Sequence, residues 1–264
     1  MKAEAIKNCN LCQSESFSTL LTRPASEWDP VRKFFGTLPE TFTLVQCDDC
    51  GLVFVNPRLP RATVLEFYDR YHAGEFDHDM QPYDSKYRGE VFQQYVDVIL
   101  SRHKTARSAL DIGCADGVML AQLKGHGLQA SGIELSKSAA AKAAKHGKIY
   151  QGDALSAIGK ISDQYDIITL VHSLEHVGQP LELLIECHRK LNNGGLVFID
   201  TPDVASGNDR MSRHFYLFSQ KTLEMALEKS GFSEIEFLKL NQTFNRDDIT
   251  WADRFLQVIA RKGN

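Results

Sequence analysis

The sequence predicts an α/β fold, a doubly wound and mostly parallel sheet, with a small cysteine-bearing unit in front of it. Three observations carry that expectation. Strand-length apolar runs alternate with helix-like segments from residue 105 to the C-terminus, as when helices cover both faces of a parallel sheet. Early in that region, Ala109-Leu110-Asp111-Ile112-Gly113-Cys114-Ala115-Asp116-Gly117 reads as a strand, a glycine turn and a helix start. Ahead of it, four of the six cysteines fall into two C-x-x-C pairs, Cys9/Cys12 and Cys47/Cys50.

Residues 1–60 form the first expected unit. Thr41 to Gln46 alternates apolar and polar residues as a half-buried strand does, Cys47-Asp48-Asp49-Cys50-Gly51 makes the turn, and Leu52 to Val55 returns. Gly51 lets the backbone curl so that amides face the thiolates. With Cys9 and Cys12 this predicts a zinc-ribbon-like unit holding Zn2+ through Cys9, Cys12, Cys47 and Cys50. Tetrahedral zinc on four cysteines has every position filled and is structural rather than catalytic. A redox pair or unconnected thiols are the alternatives. The 34-residue span between the pairs, with Trp28-Asp29-Pro30 and Phe34-Phe35-Gly36, reads as an inserted loop.

Residues 61–104 read as a helical linker or lid. Val64, Leu65, Phe67, Tyr68 and Tyr71 recur at helical spacing, and Val91, Phe92, Tyr95, Val96, Ile99 and Leu100 give a second amphipathic helix. His72 to Tyr83 between them reads as a mobile loop. Tyr83, Tyr87 and Arg88 either pack this helix onto the sheet or cover a ligand.

Residues 105–264 are the third unit. Expected strands are Ser108–Asp111, Gln129–Glu134, Lys148–Gln151, Tyr165–Val171 and Leu196–Asp200, then Ser233–Leu240 and Phe255–Ala260. Helices are expected to start near Gly117, Ser136 (a good N-cap) and Gln179, with another over Ser219–Ser230. Asn193-Gly194-Gly195 reads as the turn after the third of these.

Ligands of such sheets lie beyond the carboxyl ends of the central strands. Candidates at those ends are Asp111, Gly113, Cys114 and Gly117, then Glu134 and Leu135, then Asp153 and Ala154, then His172 and Ser173. Glu134, 23 residues after Asp111, ends the second strand, where an acid accepts both hydroxyls of a ribose. A dinucleotide fingerprint is absent, since its three glycine positions hold Gly113, Ala115 and Val118. The acid-glycine turn with its later ribose acid resembles the first motif of class I S-adenosylmethionine (SAM) methyltransferases. The order of five β-α units and a final strand pair is similar to that family's Rossmann-like seven-stranded sheet. The resemblance implies SAM as cofactor, its methionine end on the Asp111 turn, the adenine amino group on Asp153 and a ring nitrogen on Ala154. It places His172 and Ser173 beside adenosine and sulfonium. Ala115 stands where many members carry glycine, and its methyl is tolerable unless φ must be positive.

Methyl transfer to oxygen or nitrogen needs alignment of the acceptor and removal of its proton, which histidine does most often. His176, in Leu174-Glu175-His176-Val177, is the first expectation for this role and His172 the second. The tetrapeptide resembles small-molecule methyltransferases, including the quinone O-methyltransferases. A histidine capping the next helix is the alternative for His176. His172, Glu175 and His176 also form a ligand set for a divalent ion, although His172 replaces an acid of the quinone group. His214 and Tyr216 are candidate acceptor contacts, or else anchors for the preceding loop.

Composition narrows the partners. Hydrophobic residues make up 43% of 264, enough for a large domain and a small one. The net charge is −4 and no apolar run is long enough to span a bilayer. The expectation is a cytoplasmic enzyme acting on a small-molecule acceptor, as a homodimer, without nucleic acid or membrane. A sugar, polysaccharide precursor or natural product is the acceptor class that the resemblance implies. Two other functions compete. A ribosomal RNA methyltransferase with a zinc module would need a basic patch, which residues 1–60 lack. A SAM-binding scaffold without catalysis would bind the cofactor and transfer nothing.

Overall fold

The computed structural model describes residues 3–24, 41–75, 85–206, 214–240 and 255–263. Trp28, Phe34, Phe35 and Tyr83, the side chain of Tyr87, and most of the segments expected as loops at 72–83 and 205–212 lie outside them. Among the described residues the strands form two sheets of four and seven strands.

The smaller sheet contains β1 (Phe17–Pro24), β2 (Thr41–Cys47) and β3 (Val53–Val55), paired antiparallel in that order. The hairpin of β2 and β3 is the one expected. The sequence does not announce β1: it is an edge strand with little apolar alternation, leaving Leu20 and Leu21 exposed.

Two helices follow, α1 (Arg61–His72) and α2 (Ser85–Arg102). α1 buries Val64 and Phe67, and α2 buries Val91, Tyr95, Val96 and Ile99, the residues at helical spacing.

The larger sheet begins with β4 (Ser108–Ile112), β5 (Gln129–Glu134) and β6 (Lys148–Gln151). α3 (Val118–Gly125), α4 (Lys137–Ala143) and the short α5 (Ala154–Ile158) follow these strands. Ser136 caps α4 by accepting from the Ala139 N–H, as its sequence position predicts. α5 is not foreseen, since five residues are too few to show a helical period. Next come β7 (Tyr165–Val171), α6 (Pro180–Lys190) and β8 (Leu191–Pro202). The chain ends with β9 (Tyr216–Leu217), α7 (Gln220–Lys229), β10 (Phe232–Leu238) and β11 (Phe255–Lys262).

The larger sheet runs β10-β11-β8-β7-β4-β5-β6, with β11 antiparallel to both neighbours and the rest parallel. This is the doubly wound, mostly parallel seven-stranded architecture that the sequence predicts. Asn193-Gly194-Gly195 is not the expected turn but a bulge inside β8. Tyr165 pairs with Leu191 and Ile167 with Leu196, while Gly194 takes φ +73°. Asn192 Nδ2 anchors the bulge by donating to Asp166 Oδ1 at 2.8 Å.

Two features of this topology create the site. The strand order reverses between β4 and β7, which opens a crevice at their carboxyl ends. β9 does not join the larger sheet; it pairs with β3 as the fourth strand of the smaller one. The chain just before it, including His214, is thereby fastened to the cysteine unit.

Candidate active site and metal centre

A cavity of about 600 Å³ lies over the reversal point. Asp111, Gly113, Cys114, Glu134, Leu135, Asp153, Ala154, His172, Ser173, His176 and His214 all line it. Gly117 does not. It sits behind the turn at φ +88° as the left-handed residue before α3.

One side of the cavity is built by the turn after β4. Gly113 adopts φ +78°, and a Cβ there would lie 2.8 Å from the Ser173 Cβ, so only glycine lets the β4 and β7 loops approach this closely. Ala115 is also left-handed, at φ +47°. That conformation costs an L-residue about 1–2 kcal/mol. Glu134 offsets part of the cost, since its Oε2 accepts the Ala115 N–H at 2.8 Å. Its Oε1 accepts the Ser136 N–H at 2.7 Å. One carboxylate therefore ties the glycine turn to the start of α4. Burial pushes the Glu134 pKa up, against these amide bonds that lower it.

Asp111 is buried, and burial pushes its pKa up to about 7, opposed by the Thr169 hydroxyl that donates to Oδ1 at 2.7 Å and reinforced by the charge of Glu134. Asp153 has two tasks of its own: Oδ2 accepts the Ser156 N–H at 3.1 Å to cap α5, and Oδ1 pairs with Arg61 of α1. α1 is also fastened by Asp69, whose Oδ1 accepts from the Ser136 hydroxyl and the Lys137 N–H, both at 3.0 Å. Arg88 of α2 lines the cavity and pairs with Asp116 at 2.6 Å. Both helices therefore close over this side.

The other side follows β7 and β8. Glu175, only 1% exposed, is surrounded by imidazoles: His172 Nδ1 and His176 Nε2 each lie 3.8 Å from its Oε1. The His176 and His214 rings stand 4.6 Å apart. Burial favours the neutral acid, but His172, His176 and His214 outweigh it and hold Glu175 down at about 2. Thr201 Oγ1 donates to its Oε2 at 3.1 Å. His172 is left-handed at φ +50°, with Nε2 3.7 Å from the fully buried Asp200. Burial favours its neutral form, but Asp200 and Glu175 hold its pKa up at about 9. Tyr95 of α2 donates to Asp200 Oδ2 at 2.5 Å. Tyr68 of α1 brings its hydroxyl to 3.1 Å from His176 Nδ1.

The four cysteines of the two pairs converge. Cys9 and Cys50 sulfurs are 3.6 Å apart, those of Cys12 and Cys47 3.4 Å, and all four lie within 4.8 Å of one another. Tetrahedral zinc with bonds of about 2.3 Å sets its sulfurs about 3.8 Å apart, so the donor set fits. The two knuckles are alike. Gln13 and Gly51, each following the second cysteine of its pair, are left-handed at φ +64° and +84°. Each donates its N–H to the carbonyl of the first cysteine at 2.9 Å.

A family model described as a methyltransferase domain matches residues 83–236. That span covers more than half of the sequence. The chain belongs to this methyltransferase family. Ubiquinone biosynthesis O-methyltransferase of Burkholderia vietnamiensis is 34% identical over 106 residues, covering 38% of this chain and 46% of that protein. The chain thus spans about half the length of the curated relatives it matches. Among solved structures, the N-methyltransferase NodS of Bradyrhizobium japonicum, in complex with S-adenosyl-L-homocysteine, has a TM-score of 0.59 at 18% identity over 76% of this chain and 99% of its own. A SAM-dependent methyltransferase of Archaeoglobus fulgidus has a TM-score of 0.53 at 19% identity, covering 67% and 96%. The fold is the Rossmann-like one that these solved methyltransferases share.

Several residues in or beside the cavity carry no signal in the sequence. Asp200 lies near the end of a β-strand and belongs to no motif. Thr201, Tyr95 and Phe255 reach the cluster from separate elements. Tyr68 stands out only as one of the apolar positions of a helix. Glu175 is expected as a metal ligand, and its place between the imidazoles gives it a second reading. The group Glu175, His176 and His214 also has ligand atoms within 4.8 Å of one another.

Proposed function

We propose that this methyltransferase moves a methyl group from SAM to an oxygen or nitrogen of a small molecule, with His176 receiving the acceptor's proton. The observation that carries this reading is the buried Glu175 carboxylate facing His172, His176 and His214 at the cavity wall. A sugar, polysaccharide precursor or natural product is the acceptor class proposed, and the O-methyltransferase relatives support an oxygen acceptor.

The cofactor is proposed to contact Asp111, Gly113, Cys114, Glu134, Leu135, Asp153, Ala154, His172 and Ser173, with Gly117 shaping the turn behind them. Bound SAM would supply an electrophilic methyl on a sulfonium whose departure as a neutral thioether, with the C–S electron pair, would need no acid. The acceptor lone pair forms the new bond to carbon, and its proton passes to the His176 imidazole. Glu175, 3.8 Å away, stabilises the imidazolium that results. His172, held protonated by Asp200, keeps positive charge beside Glu175 and is a poor base near neutral pH. His176 is therefore the better base of the two, and His214 and Tyr68 orient it and the acceptor.

The four-cysteine cluster is proposed to hold one structural zinc, supported by its sulfur spacing and matched knuckles. SAM carrying a labelled methyl, incubated with cell extract separated into metabolites, RNA and protein, tests the function. Label in the metabolite fraction is expected. Label in RNA instead would overturn the small-molecule reading.

A further inference from the structure

Asn10 lies between the two cysteines of the first pair, yet both ends of its amide reach the first turn of α6 in the methyltransferase domain. Its Oδ1 accepts the Leu181 N–H and its Nδ2 donates to Glu182 Oε2, each at 2.9 Å. Those residues open α6, and the residue before the helix, Gln179, makes no side-chain cap bond. The start of α6 is thus capped from 171 residues away.

The segment entering α6 carries Glu175 and His176, and its backbone is held from the same direction at two carbonyls. The Gly178 carbonyl accepts from Arg58 Nη1 at 3.2 Å and from the Tyr216 hydroxyl at 3.0 Å. Arg58 follows β3, and its guanidinium lies 4.8 Å over the Phe215 ring. Tyr216 belongs to β9, paired with β3. The Glu175 carbonyl accepts the Phe215 N–H at 2.8 Å, and the Phe215 carbonyl accepts the Val55 N–H at 3.0 Å. By contrast, the β4 turn and Glu134 are tied to each other and to α4.

We propose that the cysteine unit positions the acceptor side of the active site, with Asn10 and Arg58 as positioning residues. Arg58 holds Gly178 directly and Asn10 caps the helix that follows it, so the order of the cysteine unit governs where His176 stands and leaves SAM binding alone. This inference rests on the proposed zinc and on the proposed role of His176.

The test compares the full chain with Asn10→Ala, Glu182→Ala, and the pair Asn10→Asp with Glu182→Gln. The pair keeps an acceptor for the Leu181 N–H and restores a donor–acceptor contact in the opposite sense. Four quantities are read at one pH. They are zinc per chain by elemental analysis, SAM affinity by titration calorimetry, the His176 ring proton resonance, assigned by its loss in His176→Gln, and labelled-methyl transfer. In Asn10→Ala, zinc is expected to stay, and SAM affinity to stay within about twofold, as for a distant independent site. The His176 resonance is expected to move. Labelled-methyl transfer to the metabolite fraction is expected to fall by about tenfold to a hundredfold, the effect of a small misplacement. Glu182→Ala is expected to move the resonance the same way, and the paired substitution to return it.

An unmoved His176 resonance in both single variants, with zinc and SAM binding intact, would overturn the inference. So would a resonance that moves together with a matching loss of SAM affinity. An unsubstituted chain that binds no zinc, or a His176→Ala enzyme with full transfer, fails the underlying reading instead.

Discussion

On the side of the cavity assigned to SAM, Asp111, Gly113 and Glu134 stand at or just past the carboxyl ends of the adjacent strands β4 and β5, and Glu134 ties the turn after β4 to the start of α4. On the acceptor side, neighbours come from α1, α2, β8, β11, the chain before β9 and the cysteine unit. The first side is a local motif and the second a tertiary assembly. On the proposed assignment, cofactor binding therefore draws mainly on residues 111–173, whereas placement of the acceptor draws on elements from the whole fold.

Removal of the proposed zinc is expected to disturb the acceptor side most severely. Apparent binding free energy for structural zinc is about 10–16 kcal/mol, so chelation is expected to melt residues of the small sheet. About one zinc per chain is expected from elemental analysis, with a chelator-sensitive transition in thermal melts. A metal-free preparation that melts as the native protein does would refute the zinc assignment.

His176→Ala probes the acceptor side by itself. Loss of a general base is expected to cut turnover about 10²–10⁴-fold. A variant that retains native turnover in the labelled-methyl assay would remove His176 from the mechanism.

Glu134→Ala probes the SAM side. Losing a charge-assisted hydrogen bond is expected to weaken SAM binding about tenfold. Because Glu134 also holds the Ala115 and Ser136 amides, Glu134→Gln is expected to lose less. A calorimetric titration that leaves both variants at native affinity would exclude the ribose role.

The smallest effect is on pH. Asp111, with its pKa raised to about 7 by burial, would have to be ionised to attract the ammonium of SAM in its proposed role. Affinity is therefore highest above pH 7 and falls as pH drops through it. Between pH 8 and pH 6.5 the ionised fraction falls about fourfold, and affinity with it. Asp111→Asn is expected to flatten this dependence, and an unchanged slope in that variant would assign it to another group.

The same contrast explains what the sequence revealed. The strand, turn and acid at Asp111, Gly113 and Glu134 are close in the chain, so spacing alone exposes them. The C-x-x-C pairs were legible because two such pairs in one short unit match the spacing of a four-cysteine metal site. Asp200, Tyr95 and Asn10 were not, because their partners lie far along the chain and no periodicity marks such a pair. β9 has two residues, too few for alternation to appear. Ala115 is instructive in the opposite sense. Its missing glycine is visible in the sequence, but the positive φ and the carboxylate that holds it are visible only in the fold.

Calorimetric titration of SAM into His176→Ala beside Glu134→Ala is the sharpest test of whether the two sides are separate. Near-native affinity in His176→Ala and a loss of about tenfold in Glu134→Ala are the results expected. A His176→Ala enzyme that loses SAM as severely as Glu134→Ala would contradict that separation, because its histidine would then belong to the cofactor site.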